Sequence, residues 1–281
     1  MELLDQQQNV KCADKKQTTL SKEDVRNAIL KNGIDGIKNR VICSDCLEVM
    51  KDIPDKSVDM ILCDLPYGTT ACKWDTIIPF EPLWEQYKRI IKDNGAIVLT
   101  ASQPFTSALV MSNPDMFKYE WIWEKSHPTG FASSKYNPLK YHESILVFAD
   151  GKTTYNPQMT KGIPNHSMGK IVNGGIIKSE SSVNIKAVQS QQSDNKFPKS
   201  IQRFSNPRFK DMHPTQKPVA LFEYLIKTYT NEGDLVLDNC AGSGTTGVAC
   251  KNLNRNYILI EKEQEYIDII NKRLTPNLAI K

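Results

Sequence analysis

Two short stretches of this 281-residue chain carry residue types able to do chemistry. The first is Asp64-Leu65-Pro66-Tyr67-Gly68, directly after the apolar run VDMILC (58–63). Here a carboxylate and a main-chain carbonyl set two hydrogen-bond acceptors on a turn that proline stiffens, beside a flat aromatic ring. Such a set suits a planar heterocycle with an exocyclic amine. The amine's lone pair is delocalised into its ring, so it is a poor nucleophile. Acceptors on its N–H groups favour the rehybridisation it needs to attack an electrophilic carbon. Tyr67 would stack on an unstacked base, and positioning would supply the rest of the rate. The bland reading, a strand ending in a proline turn, accounts for Pro66 and Gly68. It leaves the acid and the aromatic unexplained.

The second stretch is VLDNCAGSGTTGVA (236–249). A strand ends at Asp238, a turn follows with Gly242, Gly244 and Gly247, and a helix begins. Glycines there let the backbone turn tightly and approach a ligand. The next strand, YILIE, ends in Glu261, placed to accept hydrogen bonds from ribose hydroxyls. The unit as a whole suits a nucleoside-containing cofactor. Read alone, G-S-G-T-T-G also satisfies the dinucleotide fingerprint and admits a nicotinamide-dependent oxidoreductase. Only 34 residues follow Gly247, too few for the rest of a conventional dinucleotide domain. The remaining strands lie upstream, so a complete nucleotide-binding fold must be circularly permuted.

The elements that must position these residues follow from the hydrophobic pattern. Strand-length apolar runs occur at 41–43, 58–63, 96–100, 119–123, 144–149, 234–238 and 257–261. Most are apolar throughout, as in strands buried on both faces. Helical patterns at 80–95, 218–230, 245–254 and 264–274 alternate with them and predict a three-layer α/β fold with a mostly parallel sheet. Ahead of these, Ser21 with Asp24 three residues on, and Gly33 beyond an amphipathic run, predict one short helix after a polar, mobile tail. The implied organisation is 1–40 (tail and helix), 41–149 (first half of the core), 150–212 (an insertion) and 213–281 (second half).

Charge separates the insertion from the rest. Between Asp150 and Met212 ten Lys or Arg face four Asp or Glu, an excess of six, whereas the whole chain carries +4 and the remainder therefore −2. The insertion reads either as a solvated loop or as a basic appendage for nucleic-acid phosphates. The seven cysteines are an odd number and scattered, which predicts reduced thiols. Cys43-x-x-Cys46 lacks a second ligand pair at zinc spacing, so no metal is expected there. No apolar run approaches the ~18 residues that span a bilayer. The N-terminus has no basic-then-apolar pattern, so the expected location is the cytosol.

Together these residues resemble the β group of amino-methylating DNA methyltransferases, whose members act on adenine N6 or cytosine N4. DLPY is similar to the family's [DNS]-P-P-[YFW] tetrad in its adenine form. The order of tetrad, basic insert and cofactor loop matches the group, as does HPTQKPVALFEYLI (213–226) ahead of the glycine loop. The likeness spans about Val41 to Leu274. It implies a circularly permuted Rossmann-like methyltransferase fold with an inserted target-recognition region. It also implies S-adenosylmethionine as cofactor, no metal, and transfer of a methyl group to the N6 amine of a flipped-out adenine in duplex DNA. Cytosine-N4 methylation and an inactive DNA-binding protein are the alternatives.

Residue by residue, the resemblance makes Asp64, Leu65, Pro66 and Tyr67 the catalytic set. The cofactor set comprises Asp238, Cys240, Ala241, Gly242, Ser243, Gly244, Thr245, Thr246, Glu261 and Lys262. Asp45 and Cys46, in SDCLEVM, would cap the cofactor's adenine, and His213, Thr215 and Lys217 would lie near its methionine carboxylate. NPLKYHESILVF (137–148) would help close the base pocket. Residues 150–212 become the target-recognition region, with Arg203 and Arg208 on DNA. A cognate restriction endonuclease and a homodimer are partners compatible with the family. Two departures stand out: Leu65 replaces the first proline, and Cys240 stands where the loop often has Phe.

Overall fold

The structure is a computed structural model, which describes residues 19–70, 72, 75–163, 194–206 and 216–275. The chain divides into two compact units, one comprising residues 1–156 and 201–281 and the other Pro157–Ser200. In the smaller unit the described residues form a two-stranded antiparallel ribbon. Its strands are β6 (Thr160–Lys161) and β7 (Asn195–Lys196), and Lys161 pairs with Asp194 at 2.9 Å.

Among the described residues the larger unit holds eight strands: β1 (Arg40–Cys43), β2 (Val58–Asp64), β3 (Ile91–Ala101), β4 (Phe117–Thr129), β5 (Lys140–Phe148), β8 (Ile201–Phe204), β9 (Leu235–Asp238) and β10 (Asn256–Glu261). They form one sheet in the order β1-β10-β9-β2-β3-β5-β4-β8. Only the two pairings that flank β5 are antiparallel. Among the described residues seven α-helices accompany them: α1 (Lys22–Asn32), α2 (Cys46–Met50), α3 (Phe80–Ile90), α4 (Phe105–Ser112), α5 (Val219–Tyr229), α6 (Thr245–Asn252) and α7 (Gln264–Leu274). None of the described helices is long and apolar enough to cross a membrane.

The apolar strands are buried on both faces because helices cover both. Ile61 and Cys63 of β2 join one cluster with Val25, Val49, Leu83, Tyr87 and Phe105 from α1 to α4. Met60 and Leu62 join the other, with Leu221, Leu225, Ala249, Ile267 and Ile270 from α5 to α7. Each such fully buried side chain stabilises the fold by about 1.5–3 kcal/mol, so the strand that ends in Asp64 is firmly fixed. These are three layers, as the hydrophobic pattern predicts.

Local signals are met closely at the start of the chain. Ser21 and Asp24 form a reciprocal capping box, and Gly33, at φ +60°, donates its N–H to Ile29. The helix expected over 80–95 stops five residues early. The Arg89 and Ile90 carbonyls accept hydrogen bonds from Lys56 and Ser57, each 3.0 Å long, and Ile91 turns extended to pair with Val58. Helices α2 and α4 and strand β8 were not foreseen. They are short, and β8 lies within 150–212, in a span without a long periodic pattern; it pairs in parallel with β4 at the sheet edge.

The topology explains why distant residues meet. From β9 the chain passes through α6 to β10, toward the β1 edge; from β2 it passes through α3 to β3, away from it. These neighbours therefore form the point where strand order reverses, and the crevice beyond their C-terminal ends is where open α/β sheets bind ligands. The register sets Asp64 opposite Thr100, Asp238 opposite Leu259 and Cys43 opposite Glu261, all along that edge.

Candidate active site

A cavity of about 320 Å³ opens at this reversal. Asp64, Leu65, Pro66 and Tyr67 line one side, and Asp238 to Ser243 with Thr245, Glu261 and Lys262 line the other. Asp45 and Cys46 border it as well. Positions 64 and 242 are thus brought to one cleft.

At its catalytic end, the Asp64 carboxylate is held by side chains from several elements. Tyr67 donates its hydroxyl to Oδ1 at 2.8 Å, and the Thr100 hydroxyl binds the same oxygen. Lys217 donates from Nζ to Oδ2 at 2.6 Å. A carboxylate oxygen has two lone pairs, so Oδ2 keeps one for a further donor. Burial, and then the charges of Asp64 and Glu143, push the Tyr67 phenol well above its usual range, so it stays a donor. Its ring stacks on Phe105 of α4 at 5.1 Å between centroids, and Lys217 Nζ lies over it, 5.5 Å from its centroid. Lys217 is only 7% exposed and also lies 3.4 Å from Glu143. The resemblance sets this lysine near a cofactor carboxylate; in the structure its partners are the protein's own acids.

The loop after the tetrad folds on an acid that the sequence reading missed. Asp75 accepts the N–H groups of Gly68, Thr69 and Thr70 at 2.8, 2.9 and 2.7 Å. Burial works against its charge, but these amides and the Thr70 hydroxyl hold its carboxyl below the usual range. Gly68 has φ +66°, which a side chain tolerates poorly, and this is the reason for glycine after the tetrad. Thr69, Thr70, Ile77 and Ile78 line the cavity from this loop.

The other end is built largely from backbone. Glu261 accepts from Gly242 N on Oε2 at 2.8 Å, and from Lys262 N and Glu263 N on Oε1 at 2.8 and 2.9 Å. Oε1 is full and Oε2 retains one lone pair for a hydroxyl. Gly242 sits at φ +50°, and a Cβ built there would meet nothing within 4 Å, so this is open space against bare backbone. Asp45 caps α2, accepting from Leu47 N and Glu48 N at 2.9 and 3.2 Å. Asp238 accepts from Cys240 N and from the Thr246 hydroxyl, and burial pushes its pKa up to about 7. Cys240 meets the thiols of Cys46 and Cys63, filling with sulfur the place where the family often has Phe.

Several expected cofactor residues serve the scaffold. Thr246 is fully buried against Asp238, and Gly244 backs onto Ile270, where a Cβ would approach within 3.0 Å; neither lines the cavity. Ser243 lines it but donates to Gln216 at 3.1 Å, with Arg273 bound to its oxygens. Arg203 lies on β8 with its side chain 65% exposed, 3.9 Å from Glu124. His213, Thr215 and Arg208 lie outside the described residues. Thr100, Asn239, Glu143 and Lys125, missed in the sequence, belong to the surroundings of the site. Asn239 takes the Tyr87 hydroxyl at 2.6 Å, and Lys125 pairs with Glu143 at 2.6 Å. The only sequence signal was a charged or polar residue at the end of an apolar strand.

The chain is similar to known proteins. Type II methyltransferase M.HpaI of Haemophilus parainfluenzae is 31% identical over 254 residues, covering 84% of this chain and 74% of the relative. Type II methyltransferase M.HinfI of Haemophilus influenzae is 29% identical over 276 residues, covering 88% and 71%. Among solved structures, the M1.HpyAVI–SAM complex superposes with a TM-score of 0.57 at 27% identity, covering 83% of this chain and 98% of that one. The cytosine-N4-specific PvuII DNA methyltransferase reaches 0.62 at 15% identity, a likeness of fold, covering 85% and 87%. The family model N6_N4_Mtase, described as DNA methylase, matches residues 58–272, and with most of the chain inside that match this protein belongs to the DNA methylase family.

Proposed function

We propose that the protein is an S-adenosylmethionine-dependent, site-specific DNA methyltransferase that acts on the N6 amine of a flipped-out adenine. The observation that carries this reading is the single cavity lined by Asp64–Tyr67 on one side and by the glycine turn and Glu261 on the other.

The residues fit the cofactor. Glu261 keeps an acceptor for a ribose hydroxyl, Gly242 leaves open space against bare backbone, and Asp45 with Cys46 borders the place for an adenine ring. When bound, the cofactor supplies an electrophilic methyl group on a sulfonium sulfur. The protein's own part is to hold the amine. Asp64 Oδ2 takes one N–H and the Leu65 carbonyl the other, which localises the nitrogen lone pair. Pro66 keeps the carbonyl turned to the cavity, and the Tyr67 ring, which lines the same cavity, supports the base. The proton lost from nitrogen leaves by way of the Asp64 carboxylate. An acid at the head of the tetrad favours adenine over cytosine.

DNA is approached by the basic span 150–212, with Arg203 on phosphate or a base edge. The same reading has the enzyme act in the cytosol, alone or as a homodimer, on sites that a cognate restriction endonuclease would cut. The test is to incubate the full chain with methyl-labelled S-adenosylmethionine and mixed-sequence DNA and identify the labelled nucleoside. N6-methyladenine is the expected product. N4-methylcytosine would replace the base assignment, and DNA binding without transfer would leave an inactive binder.

A further inference from the structure

Behind Asp64 runs a row of buried charges that the chemistry above does not use. Lys217 Nζ lies 2.6 Å from Asp64 Oδ2 and 3.4 Å from Glu143 Oε2, and Lys125 Nζ lies 2.6 Å from Glu143 Oε1. The signs alternate along the row: carboxylate, ammonium, carboxylate, ammonium. The side chains of Lys217, Glu143 and Lys125 are 8, 13 and 7% exposed, against 26% for Asp64, so the row leads inward from the cavity. Four segments contribute one member each: the end of β2, the stretch before α5, β5 and β4.

Burying ions costs more than their attraction usually returns, so a buried row is not explained by stability. Its effect on Asp64 is more specific. An ammonium at 2.6 Å alone would cancel much of the negative charge that an amine acquiring positive character needs beside it. A second carboxylate on the far side of the ammonium offsets that cancellation. Glu143 Oε2 accepts no well-formed hydrogen bond among the described residues, so its action on Lys217 is that of a charge rather than a tight partner. The groups facing Lys217 are Asp64, Glu143 and the Tyr67 ring, with its centroid 5.5 Å away; Lys125 and Lys140 lie beyond Glu143.

We propose that Glu143 is a positioning residue of methyl transfer. It counterbalances Lys217, so that the lysine orients Asp64 without cancelling its charge, while Lys125 holds Glu143 in place. The proposal rests on the reading of Asp64 as the acceptor of the amine. Burial alone would lower the Lys217 pKa, but Asp64 and Glu143 outweigh it and keep the lysine charged. Glu143 is held below its usual range, against burial, by Lys217 and Lys125.

Single-turnover transfer at saturating cofactor and DNA tests this. In Glu143→Gln the rate is expected to fall about tenfold to a hundredfold, with both dissociation constants unchanged, and Glu143→Asp to recover most of it. A wild-type rate in Glu143→Gln overturns the proposal. In a Lys217→Met background, adding Glu143→Gln is expected to change the rate by less than about twofold, because Glu143 acts through the lysine. A further tenfold loss there overturns it, and this comparison holds even where Glu143→Gln alone does not fold. Without substrate, NMR titration should find the Lys217 ammonium losing its proton at lower pH in Glu143→Gln than in wild type; identical titrations count against the pairing. Wild-type transfer with full activity in Asp64→Ala is a different outcome: the parent reading then fails, and the proposal with it.

Discussion

Two of the carboxylates that line the cavity at the ends of parallel strands are held in opposite ways. Glu261, at the end of β10, is satisfied by three backbone amides, from Gly242, Lys262 and Glu263. Asp64, at the end of β2, is satisfied by three side chains, from Tyr67, Thr100 and Lys217. A carboxylate on amides needs only the turn that presents them, so its surroundings tolerate exchange. A carboxylate on side chains depends on four separate elements and on the charge state of its partners. The first arrangement builds a platform for binding, and the second tunes a reacting group.

Five substitutions break or sharpen this contrast. The largest effect belongs to Asp64→Ala, which should lower single-turnover methyl transfer by about a hundredfold to a thousandfold while calorimetry finds cofactor binding nearly unchanged. Strong loss of cofactor affinity in that variant would merge the two ends. Glu261→Gln should do the reverse: the cofactor Kd rises about tenfold, or ~1.4 kcal/mol, and the rate at saturation is largely retained.

Smaller, and readable without substrate, is the pH dependence of stability at two other acids. The carboxyl of Asp75 is held below its ordinary value of 3.8 in the fold. Its contribution is therefore complete above that value and is lost as pH falls through the lower folded one. The stability gap between wild type and Asp75→Asn should be full at neutral pH and narrow as pH falls below 3.8. Asp238 has the opposite sign, being pushed up to about 7 by burial. Wild type should lose stability relative to Asp238→Asn as pH rises from about 4 to about 7, as denaturant titration would reveal. The smallest effect is at the DNA side. Arg203→Ala should weaken binding a few-fold and reduce the salt slope by about one phosphate contact; an unchanged slope would remove this residue from the interface.

The same contrast explains what the sequence let one read. The glycine turn and Glu261 form a local unit, strand, turn, helix, strand and acid, so spacing alone exposed them. DLPYG was legible because the tetrad is contiguous. The partners of Asp64 were not. Thr100 lies 36 positions away, and nothing in its neighbourhood distinguishes it from other polar residues at strand ends; Lys217, 153 positions away, was named through the resemblance, but for a cofactor carboxylate and not for Asp64. Asp75 was missed for a similar reason: a loop acid gathering three amides has no periodicity to betray it. At the level of fold, buried strands and long helices were plain, because apolar runs are set by burial on two faces. The short elements α2, α4 and β8 escaped because eight residues or fewer hold too little pattern.

The strand order has a consequence for how the enzyme is made. The main lateral partner of β1 is β10, and β9 fills the gap between β10 and β2, so the two strands that join β1 to the tetrad strand come from residues 235–261. Until the ribosome has released them, the tetrad strand has one bare flank and the first strand stands nearly alone. Synthesis thus withholds the finished cleft until residue 261 has been made, and a chain cut short before residue 234 would carry an acid poised for chemistry with no floor to work on.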